Sequence, residues 1–199
     1  MIRPIAFTGP AGVGKSTAAA YLVKAGANRT PKINLRSQSF AQPIKGMIRG
    51  LIEMVNRDKN YASRLVTYPE FKETPIPELG GFTPRALMQT LGTEWGRDTL
   101  TEDFWVKIAL QRINRAWSSP GRFDIVFDDL RFENEAAMIR QLGGLVIGLK
   151  GRDTSTTETA HRSESAAPEP DFWVENTGTL EDLHAKLDEM MDIHMKKPA

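Results

Sequence analysis

Short apolar runs alternate with helical stripes along most of the chain. Five runs have the length of buried strands, at 2–8, 32–37, 123–129, 145–149 and 171–175, the second being the weakest. Six stretches carry apolar residues at helical spacing, at 15–26, 40–57, 83–91, 103–117, 132–142 and from 179 onward. Because strands alternating with helices favour parallel pairing, we expect an α/β three-layer sandwich, an about five-stranded parallel sheet with helices on both faces.

The stretch from 39 to 117 departs from this alternation because its helical segments have no strand between them. Within it, residues 58–82 contain Pro69, Pro75 and Pro77 followed by two glycines, which indicates a loop or irregular excursion. The next helix begins at Thr83-Pro84, and we expect Gly92 to break or bend it. The sequence therefore predicts a single domain, with a core of 1–38 and 118–199 and a helical insertion at about 39–117.

The first apolar run is followed by Gly-Pro-Ala-Gly-Val-Gly-Lys-Ser-Thr at 9–17. Gly9, four residues, then Gly14, Lys15 and Ser16 is the spacing of a phosphate-binding loop between a strand and a helix. Glycines permit positive φ and bring backbone N–H groups close to an anion, and the helix start adds partial positive charge. Lys15 would reach the β- and γ-phosphates of a nucleotide, and the Ser16 hydroxyl would ligate Mg²⁺. A glycine-rich turn without a ligand is the alternative.

Composition narrows the class of protein. The chain has 199 residues, of which 40% are hydrophobic and 26% are charged, as in soluble globular proteins. Lys and Arg number 26 against 25 Asp and Glu, so charge does not indicate binding to nucleic acid or to a membrane surface. Cysteine is absent, which excludes disulfides and cysteine-ligated metals. Apolar runs stay well below the ~18 residues of a membrane span, and no signal peptide precedes the first strand, so we expect a cytoplasmic protein.

Asp128 and Asp129 end the apolar run at 123–129. An acid at the carboxyl end of a neighbouring strand would complete a nucleotide site, because Mg²⁺ and its waters need a carboxylate there. Strand alternation predicts that one aspartate faces the loop and the other its neighbour, without telling which is which. Two solvated turn residues are the alternative.

Three further sets of polar residues are candidates for substrate binding. Arg131, just after the acidic pair, can hold a phosphate bidentately or form a surface salt bridge. Arg85 and Gln89 share a helix face and suit a phosphate or a base edge, or are an exposed polar face. The segment at about 151–166 is a candidate lid, because mobile basic loops supply cations and exclude water, and an ordinary surface loop is the alternative.

Six stretches match a known family in order along nearly the whole chain. They are GPAGVGKST at 9–17, SFAQPIKGMIRG at 39–50, TPRALMQTLGTEWGR at 83–97, DDLRFENEA at 128–136, HRSES at 161–165 and NTGTL at 176–180. Together they resemble the deoxynucleoside monophosphate kinases of bacteriophages, within the wider nucleoside monophosphate kinase group. The loop alone indicates only a P-loop fold, and its combination with the stretches at 83–97 and 128–136 is much more specific.

The resemblance implies transfer of the γ-phosphate of ATP to a deoxynucleoside monophosphate, with Mg²⁺ as cofactor, giving the diphosphate and ADP. It implies that ATP is bound by the phosphate loop and the last loop: Gly9, Ala11, Gly12, Val13, Gly14, Lys15, Ser16, Thr17, Asn176, Thr177 and Gly178. It implies metal binding by Ser16, Asp128 and Asp129, and a reaction centre with Lys15, Asp129, Arg131 and, from the lid, Arg152 and Arg162. The implied acceptor-binding residues are Ser39, Phe40, Lys45, Arg85, Gln89, Glu94 and Arg97.

Two other functions also fit the loop: another small-molecule P-loop kinase, similar to dephospho-coenzyme A kinase, and a P-loop NTPase or switch protein without an acceptor. The helical insertion favours a kinase, because it is large enough for an acceptor site. A monophosphate acceptor is already largely ionised near neutral pH, so the lack of an evident base motif agrees with this interpretation. The expected partners are ATP and the deoxynucleotide, with a homodimer as one candidate assembly and the host cytoplasm as the location if a phage encodes the protein.

Overall fold

The computed structural model describes residues 3–56, 58–151 and 168–196, and its elements follow the alternating pattern of the sequence. The strands are β1 (Ile5–Thr8), β2 (Leu35–Gln38), β3 (Asp124–Phe127), β4 (Leu145–Gly151) and β5 (Phe172–Asn176). The α-helices are α1 (Lys15–Asn28), α2 (Gln42–Val55), α3 (Lys59–Thr67), α4 (Pro84–Gln89), α5 (Phe104–Ser118), α6 (Glu133–Gln141) and α7 (Leu180–Lys196). The chain divides into two compact units, one of residues 1–40 with 106–199 and one of residues 41–105.

The first unit is built on a five-stranded sheet in the order β2-β3-β1-β4-β5, with every pairing parallel. Ile5 of the central strand is in register with Val126 on one side and Leu145 on the other. The α/β fold with a five-stranded parallel sheet is therefore confirmed. Because all strands run the same way, their carboxyl ends lie at one edge, where open α/β sheets bind ligands.

Apolar side chains cover both faces of this sheet. Phe7 joins a core with residues of α1 and α7, whereas its neighbour Ala6 joins a second core with residues of α5 and α6. This split follows from the two-residue period of a strand, and it confirms helices on both faces. The predicted helical insertion extended to residue 117, whereas residues 106–117 belong to the unit that contains the sheet.

Helix α1 runs past Gly26, which the sequence suggested as its end. The helix continues to Asn28, and the Gly26 carbonyl accepts a hydrogen bond from the Ile33 amide at 2.9 Å. A Cβ at Gly26 would lie 3.0 Å from the Ile33 carbonyl oxygen. The glycine therefore permits the chain that returns toward β2 to approach closely, rather than ending the helix.

The second unit is helical, and its core is formed mainly by α2 and α3. The expectation of a loop at 58–82 is wrong at its start, because α3 lies there. Asp58 caps this helix, its carboxylate accepting from the amides of Asn60 (2.9 Å) and Tyr61 (3.2 Å). At helical spacing along α3, Ala62, Leu65 and Val66 are buried against α2. Short 3₁₀ turns follow at Pro69–Phe71 and Pro77–Leu79.

The sequence suggested that Gly92 breaks or bends the helix that starts at Pro84, but the helical path continues through this residue. From Thr90 to Leu100 the chain continues as a π-helix, a form common at functional sites. The Gly92 carbonyl accepts a hydrogen bond from the Trp105 indole at 2.7 Å. A Cβ at Gly96 would lie 2.3 Å from the same indole nitrogen, so Trp105 packs directly on the π-helix where side chains are smallest.

Among the helices that the structure describes, each is too short or too polar to cross a lipid bilayer.

Candidate active site

The stretch at 9–17 forms a tight loop between the central strand β1 and helix α1. Gly9, Gly12 and Gly14 have φ angles of 133°, 78° and 100°, in the region that favours glycine. At Gly9, a Cβ would also lie 2.3 Å from the Leu149 carbonyl oxygen. The glycine spacing is therefore a backbone requirement of this turn, and α1 begins at Lys15 directly behind it.

The ammonium group of Lys15 lies against the same loop. Its Nζ donates to the carbonyl oxygens of Gly9 and Pro10, at 2.7 Å each. The group is thus held beside the amino end of α1, where the helix dipole also favours an anion. Around it, Ala11, Gly12, Ser16 and Thr17 are exposed, Gly14 is half-buried and Val13 is buried.

The two aspartates after β3 have different partners. The Ser16 hydroxyl donates to Asp128 Oδ2 at 2.7 Å, so Asp128 faces the start of α1. Asp129 Oδ1 instead accepts the backbone N–H of Phe40, also at 2.7 Å. The two side chains therefore meet different elements, and Asp128 is the one beside the phosphate loop.

Arg131 is exposed, and its backbone is held by a buried carboxylate. Glu135 Oε2 accepts the N–H groups of Arg131 at 2.9 Å and Phe132 at 3.2 Å, which ends the turn after β3 and starts α6. The sequence analysis did not single out Glu135. Its place three residues after the helix cap is a usable signal, since an acid at that position commonly bonds the cap's amide.

Asn176, at the end of β5, contacts the phosphate loop itself. Its Nδ2 donates to the Val13 carbonyl at 2.9 Å, and a Cβ at Gly14 would lie 2.8 Å from that nitrogen. Thr177 and Gly178, which follow, are exposed and precede α7. The end of β5 therefore supports the phosphate loop directly, a contact that the sequence alone did not indicate.

Thr179 and Asp182 cap the last helix by hydrogen bonds to each other. The Thr179 amide and hydroxyl both donate to Asp182 Oδ2, at 2.8 and 2.9 Å, and the Asp182 amide donates to the Thr179 hydroxyl at 3.2 Å. The bonds from Thr179 lower the pKa of Asp182. This capping box anchors the start of α7 directly after the loop that carries Asn176.

A groove of about 720 Å³ runs along α1 and α7 and includes Thr17. Within it the Tyr21 ring stacks on His184, with ring centroids 3.7 Å apart. The Tyr21 hydroxyl donates to Asp188 at 2.6 Å, a bond that raises the pKa of the tyrosine to about 12, and Arg29 pairs with the same carboxylate at 3.1 Å. These groups pair with one another and join α1 to α7.

The predicted acceptor residues divide between the two units. Ser39 and Phe40 follow β2 in the first unit, Phe40 being buried and stacked on Phe127 with ring centroids 4.2 Å apart. The other five belong to the second unit, at positions on α2, α4 and the π-helix: Lys45, Arg85, Gln89, Glu94 and Arg97.

Within the second unit these side chains differ in accessibility. Arg85 and Gln89 are half-buried and one turn apart on α4, and the Arg85 Nε donates to Glu73. Glu94 is exposed, whereas Arg97 is only 8% exposed and its Nη1 donates to the Glu102 carbonyl at 3.0 Å. Arg97 therefore forms part of the interior of the unit. Arg152 and Arg162, with the predicted lid, lie outside the described residues.

Comparison with known proteins gives a family. The family model for deoxynucleotide monophosphate kinase matches residues 79–187. A protein of Acanthamoeba polyphaga mimivirus, described as "Putative deoxynucleotide monophosphate kinase", is 28% identical over 207 residues, which cover 94% of this chain and 95% of the viral protein.

Among solved structures, a mutant of the Mycobacterium tuberculosis APS kinase CysC has 12% identity and a TM-score of 0.44 over 98% of each chain. The fold assignment rests on the strand order described above and not on this weak similarity. The family model covers more than half of the 199 residues, including the turn from Asp128 to Arg131. The chain therefore belongs to the deoxynucleotide monophosphate kinase family.

Proposed function

We propose that the protein transfers the γ-phosphate of ATP to a deoxynucleoside monophosphate, releasing the diphosphate and ADP. The observation that carries the proposal is the 2.7 Å hydrogen bond between Ser16 and Asp128, which joins the phosphate loop to the acidic turn after β3. Family membership supports the same reaction. In the order of the sheet, β3 is directly beside β1, so the two halves of a nucleotide site meet at one edge.

The oxygen atoms of Ser16 and Asp128 fit Mg²⁺. Both are hard donors, and they lie at a partly open site. Mg²⁺ usually keeps several waters and is bound through one or two protein ligands together with substrate phosphates. Ser16 and Asp128 would therefore hold Mg²⁺, which when bound neutralises charge on the phosphates.

The residues of the loop would bind and orient the donor. Lys15, leaving the carbonyls of Gly9 and Pro10, would pair with the β- and γ-phosphates, together with backbone N–H groups of the loop. Arg131 would hold a phosphate bidentately from the turn after β3. The loop at 176–178 would lie near the adenine, and the lid arginines Arg152 and Arg162 remain predictions from the sequence.

In this reaction an oxygen of the acceptor phosphate bonds to the γ-phosphorus, and the bond to the bridging oxygen of ADP breaks with its electron pair. The attacking oxygen is already ionised near neutral pH, so no base has to remove a proton. Asp129, which accepts the Phe40 amide, is therefore proposed to act by position and charge. Positioning and electrostatic stabilisation supply the rate.

The acceptor-binding residues remain predictions from the family resemblance. They are Ser39 and Phe40 in the first unit, and Lys45, Arg85, Gln89, Glu94 and Arg97 in the second. Arg97, being buried, would act mainly by holding the π-helix in place. The lid at about 151–166 remains a prediction from the sequence.

The test is a panel of deoxynucleoside monophosphates with ATP and Mg²⁺, read as ADP release and as formation of the deoxynucleoside diphosphate. We expect turnover with at least one acceptor and, for Lys15→Ala, a loss of roughly 10²–10³-fold. Lys24→Ala is the matched control, since Lys24 is exposed on the same helix. No turnover with any acceptor, or ATP hydrolysis that is indifferent to the acceptor, would refute the proposal. Full activity of Lys15→Ala would refute the site.

A further inference from the structure

The three residues Gln38, Ser39 and Phe40, where β2 ends, are held by side chains from two other elements. Asp129, after β3, accepts the Phe40 amide at 2.7 Å. Arg112, on α5, donates from Nη1 to the Ser39 carbonyl at 2.8 Å and from Nη2 to the Gln38 side-chain oxygen. The backbone of this short segment is thus fixed on both its N–H and its C=O side.

Arg112 is half-buried against the core of the sheet unit. Its guanidinium lies 5.9 Å from the centroid of the Phe127 ring, in the part of the core that also contains Phe40. Burial lowers the pKa of Arg112, and the negative charge of nearby Asp129 opposes that shift. Burying part of a charged guanidinium costs free energy, and its fixed hydrogen-bond acceptors offset that cost.

The position of this segment points to a role in the reaction. In the order of the sheet β2 is next to β3, which is next to the central β1, so Gln38–Phe40, Asp128 and the phosphate loop all follow carboxyl ends at one edge. On the other side of β1, the loop is supported by Asn176 of β5. A second substrate would therefore lie on the β3–β2 side, at the segment that Arg112 holds.

We propose that Arg112 is a positioning residue for the phosphate acceptor: with Asp129 it fixes the backbone of Gln38–Phe40 in the conformation that contacts the acceptor. This inference rests on the proposed kinase function and adds a residue that neither the sequence motifs nor the family description singles out. Arg112 acts through the segment and does not contact the substrate itself. Loss of the two hydrogen bonds from the Arg112 guanidinium should lower kcat/KM for the acceptor much more than kcat/KM for ATP, because ATP is bound by a different loop.

The experiment measures KM and kcat for the acceptor and for ATP separately in Arg112→Met and Arg112→Lys. The matched control is Arg115→Met, an exposed arginine on the same helix. For Arg112→Met we expect kcat/KM for the acceptor to fall between about 10-fold and 100-fold, as for the loss of hydrogen bonds to a charged group. The KM for ATP should stay within about twofold of wild type, and Arg112→Lys should recover part of the loss because it keeps the charge but not the fork.

A milder variant keeps the inference testable if Arg112→Met does not fold. Gln38→Met removes one acceptor of the guanidinium and leaves the backbone contacts, and we expect a smaller loss that is again confined to the acceptor. The inference would be overturned if a folded variant of this set showed unchanged kinetics for the acceptor, or equal losses of kcat/KM for the acceptor and for ATP. Turnover by the wild-type protein would still uphold the kinase function in that case. A wild-type protein that phosphorylates no deoxynucleoside monophosphate would instead overturn the proposed function and this inference with it.

Discussion

Replacing Glu135 tests how the turn that carries Arg131 is held. Its carboxylate is in a residue only 3% exposed and accepts two backbone N–H groups, those of Arg131 and Phe132. Glu135→Ala removes the acceptor from both. A partly buried amide without a partner costs about 1–3 kcal/mol, and loss of a helix cap about 0.5–2 kcal/mol. Because these contributions overlap, we expect the free energy of unfolding to fall by ~3 kcal/mol.

For a chain of this size a loss of ~3 kcal/mol corresponds to a melting temperature lower by roughly 6–12 °C, measured by thermal unfolding followed by circular dichroism. Glu135→Gln keeps an acceptor oxygen and loses only the charge, so it should lose ~1 kcal/mol. At a temperature where Glu135→Ala is fully folded, this variant should still show kcat/KM reduced by about tenfold, because Arg131 is less well placed.

Glu133→Gln is the control for this comparison. Glu133 lies in the same first turn of α6, but its side chain is 68% exposed and pairs with Arg140 at the surface. Such a pair contributes little, so the melting temperature should change by the equivalent of less than about 0.5 kcal/mol. If Glu135→Ala has the same melting temperature as Glu133→Gln, the two backbone hydrogen bonds do not hold the turn. The explanation of the placement of Arg131 is then refuted.

Three other substitutions have expected outcomes that follow from single contacts. Gly96→Ala places a methyl group 2.3 Å from the Trp105 indole nitrogen and should cost about 1–3 kcal/mol in thermal unfolding, whereas Gly50→Ala, with open space around it in α2, should stabilise by about 0.5–1 kcal/mol; equal effects would contradict the packing described. Asn176→Ala leaves a carbonyl of the phosphate loop without its side-chain donor and should raise the KM for ATP roughly tenfold in steady-state kinetics while leaving the acceptor KM unchanged; an unchanged KM for ATP would contradict the support role. Burial raises the pKa of Asp124, so the folded protein binds the proton of this group more tightly than the unfolded chain does, and the group's contribution to stability falls as pH rises through that pKa. Asp124→Asn should therefore have a higher melting temperature than wild type at about pH 7, and the difference should close at acid pH. A difference that does not depend on pH would contradict this.

Local rules in the sequence were sufficient where neighbours along the chain supply the interaction. The loop at 9–17 needs positive φ at fixed positions, and glycine alone meets that requirement cheaply. The capping box at Thr179 and Asp182 joins residues three positions apart. The strands were recognisable because apolar runs of their length favour burial on both faces of a parallel sheet. For these features the interacting groups lie within one turn or one strand.

Local rules were insufficient where a partner comes from far along the chain. The prolines and glycines after α3 indicate a loop, although the Asp58 cap and the apolar stripe at 62–66 are those of a helix. Gly92 by its local propensity indicates a break, whereas in the fold Trp105 packs on the continuing π-helix at its small residues. Arg112 resembled any polar residue on an amphipathic helix, and its partners lie more than 70 positions away.

The parallel α/β sheet, the phosphate loop and the acidic turn are thus predictable from the amino-acid sequence, because glycine spacing, strand period and charge are local properties. The pairing of Asp128 with Ser16, the bond from the Phe40 amide to Asp129 and the support of the loop by Asn176 follow from the folded arrangement. Asp128 and Asp129 are adjacent and chemically identical, so they differ only in the neighbouring element that each contacts. That element depends on the order of strands in the folded sheet.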